Sequence, residues 1–434
     1  MKGNFFLSNY GMLFVLLLLG VYYSFTTRTE QHSVGTEAAT EVFAQIASYP
    51  IDTKILILAS EGQEEAEFSE FTEHLLKEAN FSKVNIFRGT PFEMREALKL
   101  FEKTADRYGV IAATVKTLKL PFIEEIQDRT KIISPRSRDF PSFLKQGNLI
   151  AIADRIVVIA IIAIGMTLVV LTGGIDLSVG SLIALSAVLF TSSIRYAGGV
   201  LASSGAVWLG LFAALGACAL IGLFSGVMIT RFSIPPFIVT LAMMMVASGL
   251  AFILSRGQSI YEVPDSITWL GRESIAWGLP NTVWLMAVLY LLGYIMMSYT
   301  VLGRYIYATG GNREASRLSG VPVNKVLLFV YTVCAMLGGL GGIIQVSQLK
   351  SGAPTYGSTY ELYVIAAVVV GGASLSGGQG KILGTLIGAL IIAVIQNGMN
   401  LTGVESYTQK VVLGLVILGA VLVDKLRMGA RYGK

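Results

Sequence analysis

An acidic residue interrupts one of the longest apolar stretches of the chain. The apolar run from 156 to 194 is broken by Gly173-Gly174-Ile175-Asp176-Leu177-Ser178-Val179-Gly180-Ser181. Two leading glycines predict a break in a helix, and Asp176 or Ser178 can cap the helix that follows. Placing a carboxylate in apolar surroundings costs free energy, so such a residue by default indicates the pathway of an ion or a polar substrate. A tight turn capped by Asp176 explains the same residues, and both interpretations stay open.

A related pattern recurs near the end of the chain. Residues 371–378 share the spacing G-G-x-x-L-S-x-G with residues 173–180, so Gly371 and Gly372 predict a second break. Each copy separates two apolar helices, and such repeats with broken helices occur in transporters. Amides in the apolar segments could also hydrogen-bond a substrate: Gln345, Gln348, Gln396 and Asn397. Their alternative role is a hydrogen bond between helices, worth about 0.6 kcal/mol.

The second copy of the motif overlaps a sequence that is typical of a different class of protein. Residues 375–379 read Leu-Ser-Gly-Gly-Gln, the signature of ATP-binding-cassette (ABC) ATPases. An ATPase needs G-x-x-x-x-G-K-[ST], whereas Gly380-Lys381 is followed by Ile382, and Leu375 replaces the first glycine. There is no other catalytic motif, and two cysteines with two histidines cannot furnish a metal cluster. We therefore expect no enzymatic activity, no cofactor and no metal.

The composition indicates the solvent in which these motifs fold. Hydrophobic residues make up 53% of the chain and charged residues 14%, which is far below the charge of a soluble domain. The fold class expected is an all-α polytopic membrane protein with about ten transmembrane helices, plus a small inserted α/β domain. The segments predicted to cross are 1–25, 156–172, 177–194, 206–230, 236–254, 282–300, 326–346, 359–371, 382–398 and 408–423. The 359–371 run is too short for an upright span and predicts a half-helix, a tilted span or a re-entrant segment. We expect residues 1–25 to be a retained helix because no small-residue cleavage pattern follows them.

The charges divide the chain unequally. Residues 26–148 hold 16 Lys+Arg and 19 Asp+Glu, whereas the rest of the chain holds 17 Lys+Arg and 9 Asp+Glu. Strand-like runs at 54–59, 83–87 and 110–115 alternate with helical stretches and predict a parallel α/β domain, with a linker back to the membrane. The second helical stretch is expected to begin at the capping box Thr90-Pro91-Phe92-Glu93 and to end at about Tyr108. Because no glycine-rich turn follows the first strand, we expect a docking or spacing domain, with a ligand sensor as the alternative. Basic residues show no interleaving with aromatics, so nucleic-acid binding is not expected.

Orientation follows from the short basic loops. The loop 301–325 and the tail after the last span are rich in Lys and Arg, which places both in the cytoplasm. With ten spans, both termini are cytoplasmic and residues 26–148 are extracytoplasmic. The expected location is the plasma (inner) membrane, in contact with lipid, with 149–427 as the transmembrane domain and 428–434 as a tail.

The loop 303–320 combines basic residues with glycines and a short helix. Asn312 is a candidate N-cap and Gly320 a candidate stop. A short helix on the cytoplasmic surface suits docking to a soluble partner, whereas an ordinary positive-inside loop would need no such helix.

Residues 149–427 resemble the ribose/xylose-type permeases of ABC sugar importers. The resemblance rests on 173–185, 303–320 and 371–389, which occur in the family's order and spacing. It implies a ten-helix permease that works as a homodimer or heterodimer, with a separate ABC ATPase inside and a sugar-binding protein outside. The loop that meets the ATPase would then contain Arg304, Gly311, Asn312, Glu314, Ala315 and Arg317. The domain at 26–148 departs from the short connection that the family has there.

Two rival functions remain open from the sequence. An ion-coupled secondary transporter needs titratable residues deep in the membrane, and beyond Asp176 only Asp154 and Glu361 come close. A membrane receptor would use the outer domain as its sensor. The substrate path expected for a permease contains Asp176, Ser178 and the four amides named above.

Overall fold

The computed structural model describes residues 3–103, 108–123 and 130–432, and the chain forms two compact units. One unit comprises Met1–Thr27 with Ser142–Lys434, and the other comprises Arg28–Pro141. The sequence predicted the second unit at 26–148. In the structure this unit is shorter, and residues 26–27 and 142–148 belong to the helical unit. The first helix, α1, covers Gly3–Thr26.

The unit at Arg28–Pro141 is an α/β structure. Its elements are β1 (Arg28–Gln31), α2 (Gly35–Ile46), β2 (Ile55–Ser60), α3 (Gln63–Glu78), β3 (Val84–Gly89), α4 (Pro91–Lys103), β4 (Val110–Ala113), α5 (Val115–Leu118), β5 (Lys131–Ile133) and β6 (Arg138–Pro141). The four central strands pair in parallel in the order β3-β2-β4-β5, and β1 pairs with β6 antiparallel. Strand β2 is buried along its whole length because helices cover both sheet faces.

Local sequence explains where α4 of this unit begins. Pro91 occupies the first helical position, where a missing N–H costs nothing. The Thr90 Oγ1 accepts a bond from the Glu93 N–H at 3.4 Å, and the Glu93 Oε2 accepts one from the Thr90 N–H at 2.8 Å. The predicted capping box is therefore confirmed. The predicted end of this helix, near Tyr108, follows residues 104–107, which lie outside the described part of the chain.

The remaining residues form a bundle of helices. Its elements are α6 (Gln146–Leu171), α7 (Val179–Tyr196), α8 (Ser204–Arg231), α9 (Pro236–Ser255), α10 (Thr268–Gly271), β7 (Ser274–Ala276), β8 (Leu279–Pro280), α11 (Asn281–Tyr299), α12 (Val301–Gly311), α13 (Arg313–Leu318), α14 (Val323–Leu349), α15 (Tyr360–Val370), α16 (Ile382–Leu401) and α17 (Ser406–Tyr432). Seven of the described helices, namely α6 to α9, α11, α14 and α16, are long and apolar enough to cross a membrane. Three shorter apolar helices lie at Gly11–Thr26, Tyr360–Val370 and Ser406–Leu422. The chain is a polytopic helical membrane protein, and ten spans stay a prediction.

Helix α6 runs through the centre of the bundle and is buried without interruption from Ile156 to Leu171. Helix α14 packs on it and on two further helices through a glycine-rich stretch. A Cβ at Gly341 would lie 2.9 Å from Ile162 of α6, and one at Gly339 would lie 2.8 Å from the Cys218 Sγ of α8. On the third side, the Ser186 hydroxyl of α7 donates to the Gly339 carbonyl at 2.8 Å. The glycines thus permit close approach between helices.

Candidate functional site

The first predicted break lies between α6 and α7, where residues 172–178 are non-helical. Asp176 is 1% exposed, and its Oδ1 accepts bonds from the Ser178 N–H at 2.9 Å and the Ser178 hydroxyl at 2.6 Å. The Cys334 side chain of α14 lies beside the Asp176 carboxylate. Ser178 precedes α7, but its side chain donates to Asp176 and makes no capping bond to the helix. Asp176 therefore fixes the shape of the non-helical segment from inside the protein.

Gly174 brings this segment against the largest fully buried side chain of the bundle, Tyr331. A Cβ at Gly174 would collide with the Tyr331 hydroxyl and lie 3.3 Å from Val169. That hydroxyl is buried and has no hydrogen-bond partner among the described residues. A buried phenol without a partner beside a buried carboxylate is an uncommon arrangement, because buried polar groups are normally paired.

The second predicted break, between α15 and α16, touches the first. Gly173 and Gly372 both have positive φ, 77° and 82°, a conformation that glycine adopts without strain. The Gly378 N–H donates to the Leu171 carbonyl at the end of α6 at 2.9 Å. A Cβ at Gly377 would lie 3.1 Å from the Gly173 nitrogen. The two copies of the repeated motif thus meet in space, although about two hundred residues separate them in sequence.

Two helices also begin next to each other. A Cβ at Gly180, in the first turn of α7, would lie 2.7 Å from the Gly357 carbonyl and would collide with the Glu361 carboxylate of α15. Helix α15 has only 11 residues, so it covers about half a bilayer core at 1.5 Å per residue. Helix α15 is therefore shorter than a full upright span, as expected for 359–371, and the starts of α7 and α15 bring Glu361 to the break.

Four of the six residues predicted along the substrate path belong to three separate hydrogen-bonded groups. Asp176 and Ser178 form the first. In the second, the Gln348 Nε2 donates to the Asp154 Oδ1 at 2.9 Å, and Thr282 donates to the same oxygen at 3.3 Å.

The third group is a reciprocal amide pair. The Asn397 Nδ2 donates to the Asn148 Oδ1 at 2.8 Å, and the Asn148 Nδ2 donates to the Asn397 Oδ1 at 3.1 Å. Gln345 is buried beside the Tyr360 hydroxyl, and its Oε1 has no partner within the described ranges. Gln396 is half-buried. Asn397 therefore makes the interhelical bond that was its alternative role.

The predicted docking loop is an exposed helical projection. The Asn312 Oδ1 accepts from the Ala315 N–H at 3.0 Å, so the predicted N-cap of α13 is confirmed, and Gly320 follows the helix with a φ of 81°. Arg304 lies on α12 and is exposed. The exposed residues of α13 include Glu314, Ala315 and Arg317, and Gly311 and Asn312 are exposed just before it.

Sequence reasoning missed several residues of these sites. Leu318 ends α13 with 89% of its surface exposed, and an isolated leucine gives no sequence signal of such exposure. Tyr331 and Cys334 looked like ordinary apolar helix positions. Gly310, which lies between the two breaks, could have been suspected from its place in a Gly-Gly pair.

These features define a helical membrane protein with two touching helix breaks and a short exposed helix, α13. The family model described as "Branched-chain amino acid transport system / permease component" matches residues 148–421. The chain belongs to that family. The α/β unit at Arg28–Pro141 precedes the matched residues.

Curated relatives agree with this assignment. The chain is 46% identical over 288 residues to the ribose import permease protein RbsC of Escherichia coli (strain K12), covering 65% of this chain and 87% of that one. It is 41% identical over 287 residues to RbsC of Bacillus subtilis (strain 168), covering 66% and 87%. It is 35% identical over 292 residues to the L-arabinose transport system permease protein AraH of Escherichia coli (strain K12), covering 67% and 86%. No solved structure matches the chain significantly.

Proposed function

We propose that the chain is the membrane subunit of an ATP-driven importer for a monosaccharide, ribose or a related pentose. The observation that carries this proposal is the 46% identity to a ribose import permease, which extends over 87% of that protein. A separate ABC ATPase would bind at α13, and an extracytoplasmic sugar-binding protein would deliver the substrate. Two permease copies would alternate between outward-open and inward-open states.

The ATPase contact is proposed at the exposed surface formed by Arg304, α13 and Leu318. An apolar side chain that is 89% exposed next to basic residues is typical of a docking surface rather than of a solvent-facing loop. Glu314 and Arg317 pair with each other at 3.4 Å on the exposed side, which leaves the shape of α13 independent of the partner.

Co-purification tests this contact. The chain carrying a C-terminal tag is purified gently from native membranes, and the chains recovered with it are identified by mass spectrometry. We expect an ABC ATPase with the wild type and a several-fold lower recovery with the double variant Arg304→Ala/Arg317→Ala. Arg95→Ala, an exposed arginine on α4, is the matched control and should recover wild-type amounts. Loss of the ATPase with the control alone, or equal recovery with all three proteins, would contradict the proposed contact.

The substrate is tested by uptake. Cells expressing the chain with its partners take up labelled ribose, and unlabelled ribose, arabinose, xylose and galactose compete. We expect ribose to compete best, because the two ribose permeases are the more similar relatives. Uptake that survives ATP depletion and collapses with the proton gradient would instead support an ion-coupled transporter.

Along the path, we propose that Asp176 and Ser178 shape the broken segment, while Gln345, Gln348 and Gln396 are the amides that reach substrate. Gln348 does so through its side-chain carbonyl oxygen, because its Nε2 donates to Asp154 of α6. Gln345 supports this role because its buried carbonyl oxygen lacks a partner among the described residues. For Asn397 the pair with Asn148 supports a bond between helices instead. Substitution of Gln345 by leucine should raise the KM for sugar.

For topology we propose ten spans, cytoplasmic termini and an extracytoplasmic α/β unit. Retention of α1 is supported by its packing, since the Tyr23 ring fills the space beside Gly398 of α16. Both native cysteines are buried, so an introduced cysteine reports its own exposure. In intact cells an impermeant maleimide should label Glu64→Cys, whereas Leu318→Cys should react only after permeabilisation. The reverse pattern would contradict the topology.

The α/β unit is proposed to dock or space the importer without a ligand of its own. In a parallel sheet of order β3-β2-β4-β5, ligands bind beyond the carboxyl ends of the strands, between β2 and β4. There the Glu65 carboxylate accepts from the Ser60 N–H at 3.1 Å and from the Thr114 hydroxyl at 2.8 Å. The Ser60 and Thr117 hydroxyls lie 3.1 Å apart beside it. The polar groups at this edge bond to one another, which favours the spacing role over the receptor alternative.

A further inference from the structure

Helix α12 ends in the space between the two helix breaks. A Cβ at Gly310 would collide with the Leu171 carbonyl, the last carbonyl of α6, and would lie 2.6 Å from the Gly378 nitrogen. On the other side, a Cβ at Gly377 would lie 2.7 Å from the Gly310 carbonyl. Because all of these neighbours are backbone atoms, no side chain can move aside to admit a larger residue. Gly310 is therefore held by main chain on two sides.

Hydrogen bonds tie the same three segments together. The Gly378 N–H donates to the Leu171 carbonyl at 2.9 Å, which joins the second break to the end of α6. The Tyr307 hydroxyl, one turn before Gly310, donates to the Gly380 carbonyl at 2.8 Å. Gly173 of the first break lies directly against Gly377. The end of α12 and both breaks thus form one glycine junction, made of Leu171, Gly173, Gly310, Gly377 and Gly378.

The junction is directly connected to the exposed helix α13. Only Asn312 separates α12, which ends at Gly311, from α13, which begins at Arg313, and Asn312 caps α13 through its side chain. A displacement of α13 must therefore move the end of α12. Close-packed interiors transmit such displacements because they have two discrete arrangements rather than a continuous range.

We propose that Gly310 is a positioning residue that transmits movement of α13 to both helix breaks, and through the first break to Asp176. The proposal rests on the proposed function, since it requires an ATPase that moves α13. It adds a defined contact through which that movement reaches the broken segments. Gly310 itself makes no contact with the partner or the sugar in this proposal.

The test compares three variants of the full-length tagged chain in the same membranes. Gly310→Ala adds one methyl group at the junction. Tyr307→Phe removes one hydrogen bond of the junction and leaves the packing intact. Gly249→Ala, at an exposed helical glycine with open space around it, is the matched control. For each protein we measure recovery of the ATPase and ATP-driven ribose uptake per molecule of permease.

We expect Gly310→Ala to recover the ATPase in wild-type amounts while uptake falls about twofold to thirtyfold, the range of coupling changes seen along such networks. Tyr307→Phe should lower uptake less, and Gly249→Ala should not lower it. If Gly310→Ala fails to accumulate, Tyr307→Phe decides: reduced uptake with retained ATPase supports the junction, and unchanged uptake overturns it. Loss of the ATPase with Gly310→Ala also overturns it, because the residue would then act in docking.

The wild-type protein separates this proposal from the one on which it rests. A wild type that recovers no ATPase and imports without ATP overturns the proposed function and the junction together. A wild type that couples ATP to uptake, with Gly310→Ala equally active, overturns the junction alone.

Discussion

Among the described residues, each unit of the molecule buries a carboxylate, Glu65 in the α/β unit and Asp176 in the helical unit, and the surroundings of the two carboxylates differ. In the α/β unit both Glu65 oxygens accept bonds, from the Ser60 N–H and from the Thr114 and Thr117 hydroxyls. In the helical unit Asp176 holds a non-helical segment and lies near the Tyr331 phenol, which has no partner among the described residues. A fully paired carboxylate stabilises one structure, whereas unpaired polar groups beside a helix break leave room for a second arrangement.

The largest effect should come from neutralising both carboxylates by isosteric change. A hydrogen bond to a charged group contributes about 1.5–3 kcal/mol, so Asp176→Asn should lower sugar uptake about tenfold while the protein still accumulates. Glu65→Gln should weaken hydrogen-exchange protection around β2 and β4 and leave uptake within about twofold of wild type. Equal loss of uptake in both variants would show that the two sites do not differ in function.

A smaller effect is expected at Gly174, which lies against the Tyr331 hydroxyl. Gly174→Ala should lower the free energy of unfolding by about 1–3 kcal/mol, because its Cβ meets the Tyr331 hydroxyl. Tyr331→Phe removes that hydroxyl, so the double variant should recover part of the loss, and Tyr331→Phe alone should be nearly neutral. Thermal unfolding in detergent measures all three. A double variant less stable than Gly174→Ala would contradict the contact.

The amide pair offers a weaker test within the helical unit. Asn148→Ala, Asn397→Ala and the double variant form a cycle whose coupling energy should be about 0.6 kcal/mol. Because the pair joins two helices, the KM for sugar should stay unchanged in each variant. A raised KM for Asn397→Ala alone would return Asn397 to the substrate path.

The smallest effect belongs to the α/β unit and depends on pH. Bonds from the Thr90 N–H and hydroxyl lower the pKa of the exposed Glu93 carboxyl. A lowered carboxyl pKa means that this cap is present above the ordinary glutamate pKa and is lost as the pH falls through the lowered value. Hydrogen exchange of the first turn of α4, corrected for intrinsic rates, should show that loss. Glu93→Gln should show no pH dependence beyond the correction.

Local features were predictable from the sequence because they depend on neighbouring residues. The caps at Thr90 and Asn312 and the strands at β2, β3 and β4 follow from a few consecutive side chains. The sequence did not predict that Asn397 bonds to Asn148 or that Gly310 packs against Gly377. Both partners are distant in the chain, and nothing in the sequence distinguishes them from other amides or glycines. The membrane unit was identifiable from its composition and its long apolar runs. The bond from the Ser178 hydroxyl to Asp176 was not, because it depends on the backbone conformation of residues 172–178.

The packing of α1 also bears on how the protein is made. The Tyr23 ring of α1 is seated against Gly398 of α16, and residues 24–397 separate the two in sequence. All of these residues must be synthesised before α1 meets this partner, so α1 is made long before its packing is complete. Truncated chains that stop before α16 should leave α1 accessible to the quality-control proteases of the membrane.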